Sequence, residues 1–130
     1  MTASRFALRF DRWFTMLATP LGMGPKHSAV VLDDAEVGVT LGIGFHCRFP
    51  RSAIAAAEVA SGPVSGFGAH GWRGRWLVNG SSSALVRLQL DGPHRGSVLG
   101  VPVKVTEITV SLVDPEGFLA ALGLPPQPAA

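Results

Sequence analysis

The sequence predicts a mainly β domain, a curled sheet or barrel of about seven antiparallel strands capped by one C-terminal α-helix. Apolar and polar residues alternate along most of the chain, most clearly over residues 37–49, and this period is typical of half-buried strands. A helical pattern follows at the end, where Asp114 and Pro115 precede an apolar run that Gly123 closes. We expect this short helix to cover an open end of the sheet.

Composition is that of a single globular domain. The chain has 130 residues, of which 47% are hydrophobic and 15% charged, which suffices for one core and argues against disorder. We expect one domain over residues 1–123 and a flexible Pro/Ala-rich tail over 124–130. The net charge of +2 is too small to indicate a nucleic-acid partner or an anionic membrane.

Cysteine usage and the N-terminus indicate the compartment. The single cysteine, Cys47, excludes an internal disulfide and favours a reducing environment. The N-terminus lacks the apolar centre of a signal peptide, and no apolar run reaches the length of about 18 residues that a membrane span needs. We therefore expect a cytoplasmic protein without a transmembrane segment.

The N-terminal part predicts short strands. Apolar residues alternate with small or charged ones over 6–10, which predicts a first strand. A stretch rich in Pro and Gly over 19–25 predicts a loop. A short apolar strand over 29–32 is then expected to end at the turn-forming pair Asp33-Asp34.

The longest periodic signal is too long for one strand. Apolar residues occupy every odd position over 37–49, so we expect two strands that turn at Gly42-Ile43-Gly44 and end at Pro50. The Ala-rich segment 54–59 fits either a helical turn or a short strand, and the regular spacing of the strands favours the strand.

The second half of the chain contains two predicted turns. Asn79-Gly80 predicts a hairpin, and Asp91-Gly92-Pro93 predicts a turn after the strand over 86–90. Apolar residues then fall on odd positions up to Val105 and on even positions from Ile108, so a bulge or turn must lie between these two residues.

Three segments resemble a known family of folds. They are the run from Leu21 through Asp34, the segment from Gly42 to Ile54 and the ending from Val110 to Leu119. These segments resemble bacterial proteins with a pleckstrin-homology-like (PH-like) fold, and more narrowly small actinobacterial proteins of that kind, over roughly residues 20–123. The resemblance implies a PH-like barrel. It assigns no particular activity, because PH-like barrels host several kinds of binding.

A segment rich in aromatic, arginine and glycine residues is the strongest candidate for a binding surface. Its conformation over 61–74 is open between a long loop and a bulged hairpin. Rigid aromatic anchors beside guanidinium groups are typical of interfaces. The candidate ligand- or partner-binding residues are Phe67, His70, Trp72, Arg73 and Arg75. The alternative is a sheet rim in which Trp72 and Trp76 fill the core and the arginines are solvated.

No catalytic or metal motif emerges from the remaining residues. Cys47 shares the inward parity of Phe45 and Phe49, whereas His46 points to the opposite face, so we expect a core thiol rather than a nucleophile. The four histidines lack the spacing of metal ligands. We accordingly predict no catalytic residue, no metal site and no cofactor.

The sequence thus predicts a non-enzymatic binding module that takes a protein partner or a small ligand through its Gly/Trp/Arg-rich rim over 62–76. The alternative is a small enzyme or cofactor carrier whose barrel pocket uses His70 or His46. A third hypothesis is peripheral attachment to a membrane or to nucleic acid through outward arginines, although scattered arginines are more often only solvated. These arginines are Arg9, Arg48, Arg51, Arg87 and Arg95. A homodimer is compatible with the apolar composition.

Overall fold

Nine strands form one sheet in the computed structural model of the chain, which describes residues 4–12, 16, 28–42, 44–60, 68–72, 74–79 and 84–123. For residues 68–72 and 79 only the backbone is described. The strands are β1 (Ser4–Ala7), β2 (Ser28–Leu32), β3 (Glu36–Leu41), β4 (Phe45–Pro50), β5 (Ile54–Ala60), β6 (Gly68–Trp72), β7 (Arg75–Asn79), β8 (Leu85–Val98) and β9 (Val101–Ser111). A 3₁₀ turn over Arg51–Ala53 joins β4 to β5, and helix α1 spans Pro115–Leu122. The prediction of a mainly β fold with a C-terminal helix is confirmed.

The strands follow the order β1-β2-β3-β4-β8-β9-β7-β6, and β5 pairs with β8. Described pairs are antiparallel except for β7 with β9, which is parallel and departs from the predicted all-antiparallel sheet. The sheet has more strands than the predicted seven or so, and its path is not closed. An antiparallel bridge between Leu8 and Leu112 nevertheless links the extension of β1 to the end of β9.

The longest strand, β8, changes partner along its length. Its first part pairs with β5, and its end pairs with β4, where Cys47 lies opposite Gly96. Between these parts the register with β9 shifts between Gln89 and His94. The turn predicted at Asp91-Gly92-Pro93 is therefore wrong. The chain continues in the same direction, and the segment forms an irregularity where Pro93 has no N–H to donate to the ladder.

A bulge interrupts β9 where the sequence requires a change of phase. The amides of Thr106 and Glu107 both donate to the carbonyl of Gly74, at 2.7 and 3.1 Å. Two successive amides on one acceptor mean that two residues of β9 oppose a single partner, which defines a bulge. Val105 and Ile108 are consequently both buried, and the predicted change of phase is confirmed.

β7 and β8 do not pair with each other as a hairpin would require. One edge of β8 is occupied by β4 and β5 and the other by β9, so β8 has no free edge for β7. β7 lies on the far side of β9, and the hairpin predicted from Asn79-Gly80 is wrong. The turn between β3 and β4 and the strand predicted over 54–59 are confirmed. Of the open segment 61–74, residues 68–72 form a hairpin with β7, and 61–67 lie outside the described residues.

Helix α1 begins and ends as its sequence predicts. The Asp114 carboxylate accepts a hydrogen bond from the Gly117 amide at 3.0 Å, and Gly123 ends the helix with φ 75°. Arg51 adds a link to the sheet, because its Nη2 donates to the Ala121 carbonyl at 2.6 Å. The helix is therefore fixed at both ends.

The inner face of the sheet and one face of α1 form the core. Phe118, Leu119 and Leu122 of the helix are buried, and the ring of Phe118 meets that of Phe6 edge-on with centroids 5.2 Å apart. The largest buried side chains of the sheet are Leu41, Phe45, Phe49, Leu88, Ile108 and Leu112. With the inner face filled in this way, the outer face remains for contact with other molecules.

Candidate functional site

The predicted rim lies only partly within the described residues. Phe67 and Arg73 lie outside them. His70 and Trp72 belong to β6, and their side chains are not described. The binding roles of these four residues stay predictions.

The start of β7 is the part of the rim that is described, and it rests on β9. Nε of Arg75 lies 3.8 Å from Oε2 of Glu107, and the Arg75 side chain is 72% exposed. The indole N–H of Trp76 donates to the Lys104 carbonyl at 2.9 Å, and its ring centroid lies 5.6 Å from that of Phe45. Trp76 thus packs against the core while Arg75 is solvated, as the alternative of a simple sheet rim predicts for these two residues.

Three exposed cations lie side by side on the outer face of the sheet. Arg48 is on β4, Arg95 on β8 and Lys104 on β9. Arg95 pairs directly with Lys104, and the pairing of Cys47 with Gly96 brings Arg48 next to Arg95. Because neighbouring strands lie about 4.8 Å apart, the three backbone positions span roughly 10 Å. We call Arg48, Arg95 and Lys104 the cationic surface.

Within the described part of the chain, no carboxylate forms an ion pair with the cationic surface. Like charges directly opposite each other on neighbouring strands destabilise a sheet. The pairing of Arg95 with Lys104 therefore opposes folding, and an anion placed between the two side chains would relieve the repulsion.

Two clefts flank Arg95, which together with Pro102 lines both. One has a volume of about 330 Å³ and is lined by His46, Arg48, Arg95, Gly96, Ser97 and Pro102. The other has a volume of about 400 Å³ and is lined by Pro93, His94, Arg95, Pro102, Val103 and Lys104. Guanidinium, ammonium and hydroxyl groups thus converge on clefts large enough for a small anion with several oxygen atoms.

Acidic residues lie beside Arg48 and also beside the larger cleft, where Oδ1 of Asp91 is 3.1 Å from Nε2 of His94. Asp33 and Glu36 line a recess of about 140 Å³ with Arg48. The Asp33 carboxylate accepts hydrogen bonds from the amides of Glu36 and Ala35, at 2.6 and 2.7 Å, and these bonds lower its pKa, with a smaller contribution from Arg48. This carboxylate is engaged in the turn between β2 and β3, as predicted for Asp33, and does not neutralise Arg95 or Lys104.

The structure divides the five outward arginines that the third hypothesis, peripheral attachment to a membrane or nucleic acid, groups together. Arg48 and Arg95 come together, whereas Nη1 of Arg87 donates to Oε1 of Glu58 at 2.9 Å. Arg51 donates to backbone carbonyls, and Arg9 lies beside Ser111 at the opposite end of β9 from Lys104. Two of these five arginines therefore belong to one surface.

Lys104 is the member of the cationic surface that sequence reasoning missed. It faces Arg95 because β8 and β9 are joined by a two-residue turn at Leu99-Gly100, which sets the register. Neither Asn nor Asp marks this turn, so the sequence carries no strong hairpin signal there. The alternation of apolar and polar residues on both sides of Gly100 is the signal that could have located this turn.

Cys47 is a core thiol, as its parity predicts. Its side chain is 1% exposed, and burial raises its pKa from 9.0 to about 12. His46 lies on the outer face, where its Nδ1 is 3.1 Å from Oγ1 of Thr40. The two side chains lie on opposite faces of β4, so His46 cannot act as a base for this thiol.

Burial of Cys47 is expected to make the free energy of unfolding depend on pH. The folded thiol has the higher pKa, so stability is intact below pH 9 and falls as the pH rises toward 12, because the unfolded thiol ionises first. Between pH 8 and pH 10 the loss should be about 1 kcal/mol. Urea unfolding at both values measures it, and a Cys47→Ala variant should lack this part of the dependence. An equal pH dependence in the variant would contradict the prediction.

The described residues contain no group of three or more His, Cys, Asp or Glu side chains that could hold a metal ion. None of the described helices has the length and apolar character needed to cross a membrane. The chain matches no protein-family model, no curated protein and no solved structure.

Proposed function

We propose that the protein is a non-enzymatic PH-like binding module of the cytoplasm, and that it holds an anionic group of a small ligand or protein partner on the cationic surface. The observation that carries the proposal is the direct pairing of Arg95 with Lys104, next to Arg48. Like charges in such a pairing destabilise a sheet unless an anion lies between them.

Two features support the PH-like part of the proposal. The bridge between Leu8 and Leu112 brings β1, at one end of the strand path, to β9 near the other end, as a barrel requires. The C-terminal helix buries Phe118 against the sheet.

The parallel pairing of β7 with β9 departs from an all-antiparallel barrel. The free, buried Cys47 supports a reducing compartment.

A phosphoryl group fits the cationic surface better than a carboxylate does. It offers more acceptor oxygens and carries up to about two negative charges to share among three cations. The arginines can donate in pairs to neighbouring oxygens, and Lys104 acts as a point charge. Ser97 places a hydroxyl in the same cleft as Arg48 and Arg95.

The described end of the rim, at Arg75 and Trp76, adjoins this surface, and it is part of the proposal that the rim adds contacts to the same ligand or partner. The hydrogen bond from Trp76 to the Lys104 carbonyl holds the start of β7 beside β9. The rim residues assigned to these contacts are Phe67, His70, Trp72, Arg73 and Arg75.

Replacing Arg95 or Lys104 with glutamine is expected to weaken phosphate binding about tenfold or more, because each substitution removes a charge-assisted hydrogen bond worth about 1.5–3 kcal/mol. The measurement is a titration with inorganic phosphate and pyrophosphate, followed by the NMR shifts of backbone amides in β8 and β9. The melting temperature should stay constant or rise, since a like-charge pair is removed. Added sodium chloride should weaken binding in the parent protein.

Arg9→Gln is the matched control, because Arg9 is exposed and lies near the opposite end of β9. It removes the same charge and should change the phosphate affinity by less than about twofold. Equal losses in Arg9→Gln and Arg95→Gln would mean that net charge alone attracts phosphate. If phosphate and pyrophosphate shift no amide of β8 or β9, the proposal is wrong.

A further inference from the structure

A recess on the outer face of the sheet borders the cationic surface at Arg48. It has a volume of about 140 Å³ and is lined by Val31, Asp33, Glu36, Gly38 and Arg48. Val31 of β2 and Arg48 of β4 lie directly opposite Gly38 of β3, one on each side. Gly38 thus forms the floor of the recess, and the side chains of Val31 and Arg48 form two facing walls.

The packing of the described residues does not require a glycine at position 38. A Cβ atom there would come no closer than 4.0 Å to a neighbour, the Cys47 carbonyl oxygen. Gly38 does not have a positive φ, and the register on both sides of it is continuous, so it marks no turn or bulge. Glycine within a strand weakens the sheet and often marks a place where a ligand approaches the backbone closely. Gly38 therefore keeps the recess open at the expense of strand stability.

The width of the recess suits a flat ring standing over Gly38. The backbones of Val31 and Arg48 are two strand spacings apart, roughly 10 Å. A ring in van der Waals contact on both faces needs about 7–8 Å between the flanking atoms, so side chains that lean inward can hold it. Val31 is 38% exposed and offers its methyl groups to one face of the ring. The Arg48 guanidinium can stack on the other face.

Two carboxylates lie at one end of this gap. Asp33 follows Val31 by two residues and Glu36 precedes Gly38 by two, so both belong to the outer face. The amides that bond Asp33 both donate to Oδ1, which leaves Oδ2 able to accept a further donor. Among the described residues, neither carboxylate forms an ion pair with Arg48. This end of the recess therefore suits a ring whose edge carries adjacent N–H donors.

We propose that the recess binds the base of a guanine nucleotide, whose phosphoryl groups lie on the cationic surface. The inference rests on the proposed function, and it names the small ligand that carries the anion. Guanine presents its N1–H and N2–H₂ donors side by side, and a carboxylate can accept from both. Adenine places an acceptor nitrogen beside its amino group, and a carboxylate repels that nitrogen.

The spacing of the recess and the cationic surface agrees with this ligand. Gly38 lies on β3 and Arg95 on β8, with β4 between them, so the two positions are roughly 10 Å apart. A ribose can bridge base and phosphates over this distance, past the Arg48 side chain. Arg48 then contacts both parts of the nucleotide.

The test compares guanosine diphosphate (GDP), adenosine diphosphate (ADP) and pyrophosphate by isothermal titration calorimetry at constant ionic strength. GDP is expected to bind about tenfold more tightly than ADP or pyrophosphate, because the bonds from guanine to a carboxylate are charge-assisted. Glu36→Gln should remove this preference without weakening the binding of pyrophosphate. Glu116→Gln is the matched control, since it removes the same charge from an exposed position on α1 and should keep the preference.

Gly38→Val fills the recess and provides a second, independent variant. It should bind GDP no more tightly than pyrophosphate, and its affinity for pyrophosphate should match that of the parent protein within about twofold. Its melting temperature should be unchanged or higher, because valine suits a strand and its Cβ meets no close neighbour. Loss of the preference for GDP therefore cannot come from loss of the fold.

The outcomes separate this inference from the proposed function. If the parent protein binds GDP, ADP and pyrophosphate equally, the guanine inference is overturned and the phosphate proposal stands. If none of the three binds, both fail. If Glu36→Gln or a folded Gly38→Val keeps the full preference for GDP, the base lies elsewhere and the inference is overturned.

Discussion

Replacing Phe118 with alanine is expected to lower the free energy of unfolding by about 3–5 kcal/mol, the largest effect of any substitution considered. Phe118 is fully buried between α1 and the sheet, and its ring contacts that of Phe6 edge-on. Truncation leaves a cavity and removes this aromatic pair, which contributes about 0.5–1.5 kcal/mol beyond buried area. Because α1 has only eight residues, it depends on packing for its stability.

Urea unfolding followed by circular dichroism measures the effect. Glu116→Ala is the control, since Glu116 is exposed on the same helix and should change stability by less than about 0.5 kcal/mol. If Phe118→Ala does not fold, Phe118→Leu keeps part of the volume and should cost about 1–2 kcal/mol. A loss below about 1 kcal/mol for Phe118→Ala would show that the helix does not hold the core together.

Substitution of Gly96 by alanine is expected to destabilise the protein by about 1–3 kcal/mol through overpacking. A Cβ atom at this position would lie 3.0 Å from Cγ2 of Val105, 3.1 Å from Cβ of Cys47 and 3.2 Å from the His46 carbonyl oxygen. Loss of backbone entropy in the unfolded chain favours alanine by only about 0.4–1 kcal/mol. Overpacking therefore dominates, because two of the three neighbouring atoms belong to backbone or Cβ positions that cannot move alone.

Gly92→Ala is the matched control for Gly96. A Cβ atom at Gly92 would meet nothing within 4 Å, so this variant should be as stable as the parent or slightly more stable. Urea unfolding of both variants makes the comparison. Equal stability of Gly96→Ala and Gly92→Ala would show that β4 and β8 do not pack as closely as described. The same close packing places Arg48 beside Arg95, so Gly96→Ala should also weaken phosphate binding.

Elements fixed by local chemistry were predicted correctly. The helix cap at Asp114, the change of phase after Val105 and the inward position of Cys47 each depend on residues a few positions apart. Side-chain period and capping are local properties, so a single sequence reveals them. The same applies to the turn between β3 and β4.

Strand partners were not predictable from turn chemistry. β7 ends at Asn79 and does not pair with β8, and Asp91-Gly92-Pro93 lies at an irregularity within β8, although Asn79-Gly80 and Asp91-Gly92-Pro93 both have the composition of turns. Whether such a segment forms a hairpin turn depends on which strand edges are free to pair, and this is a property of the assembled sheet. The turn at Leu99-Gly100, in contrast, carries no strong turn signal in its composition.

The candidate site also combines features that local sequence predicts with features that depend on strand pairing. Parity predicted that Arg48 and Arg95 point outward, and the structure brings them together. Lys104 joins them only through the register of the β8–β9 hairpin, which a one-residue shift would have changed. The sequence therefore indicated that arginines form the site, and the register of the strands decided which cations lie together in it.

The bridge between Leu8 and Leu112 affects when the N-terminal part of the sheet can complete its folding during synthesis. Ribosomes add roughly 5–20 residues per second, so about 5–20 s pass between synthesis of the first of these residues and the second. During that time the extension of β1 has no partner strand on β9. Contacts between such distant residues also slow folding in general. β1 can pair with β2 early in synthesis, but its extension at Leu8 reaches Leu112 only after β9 has left the ribosome.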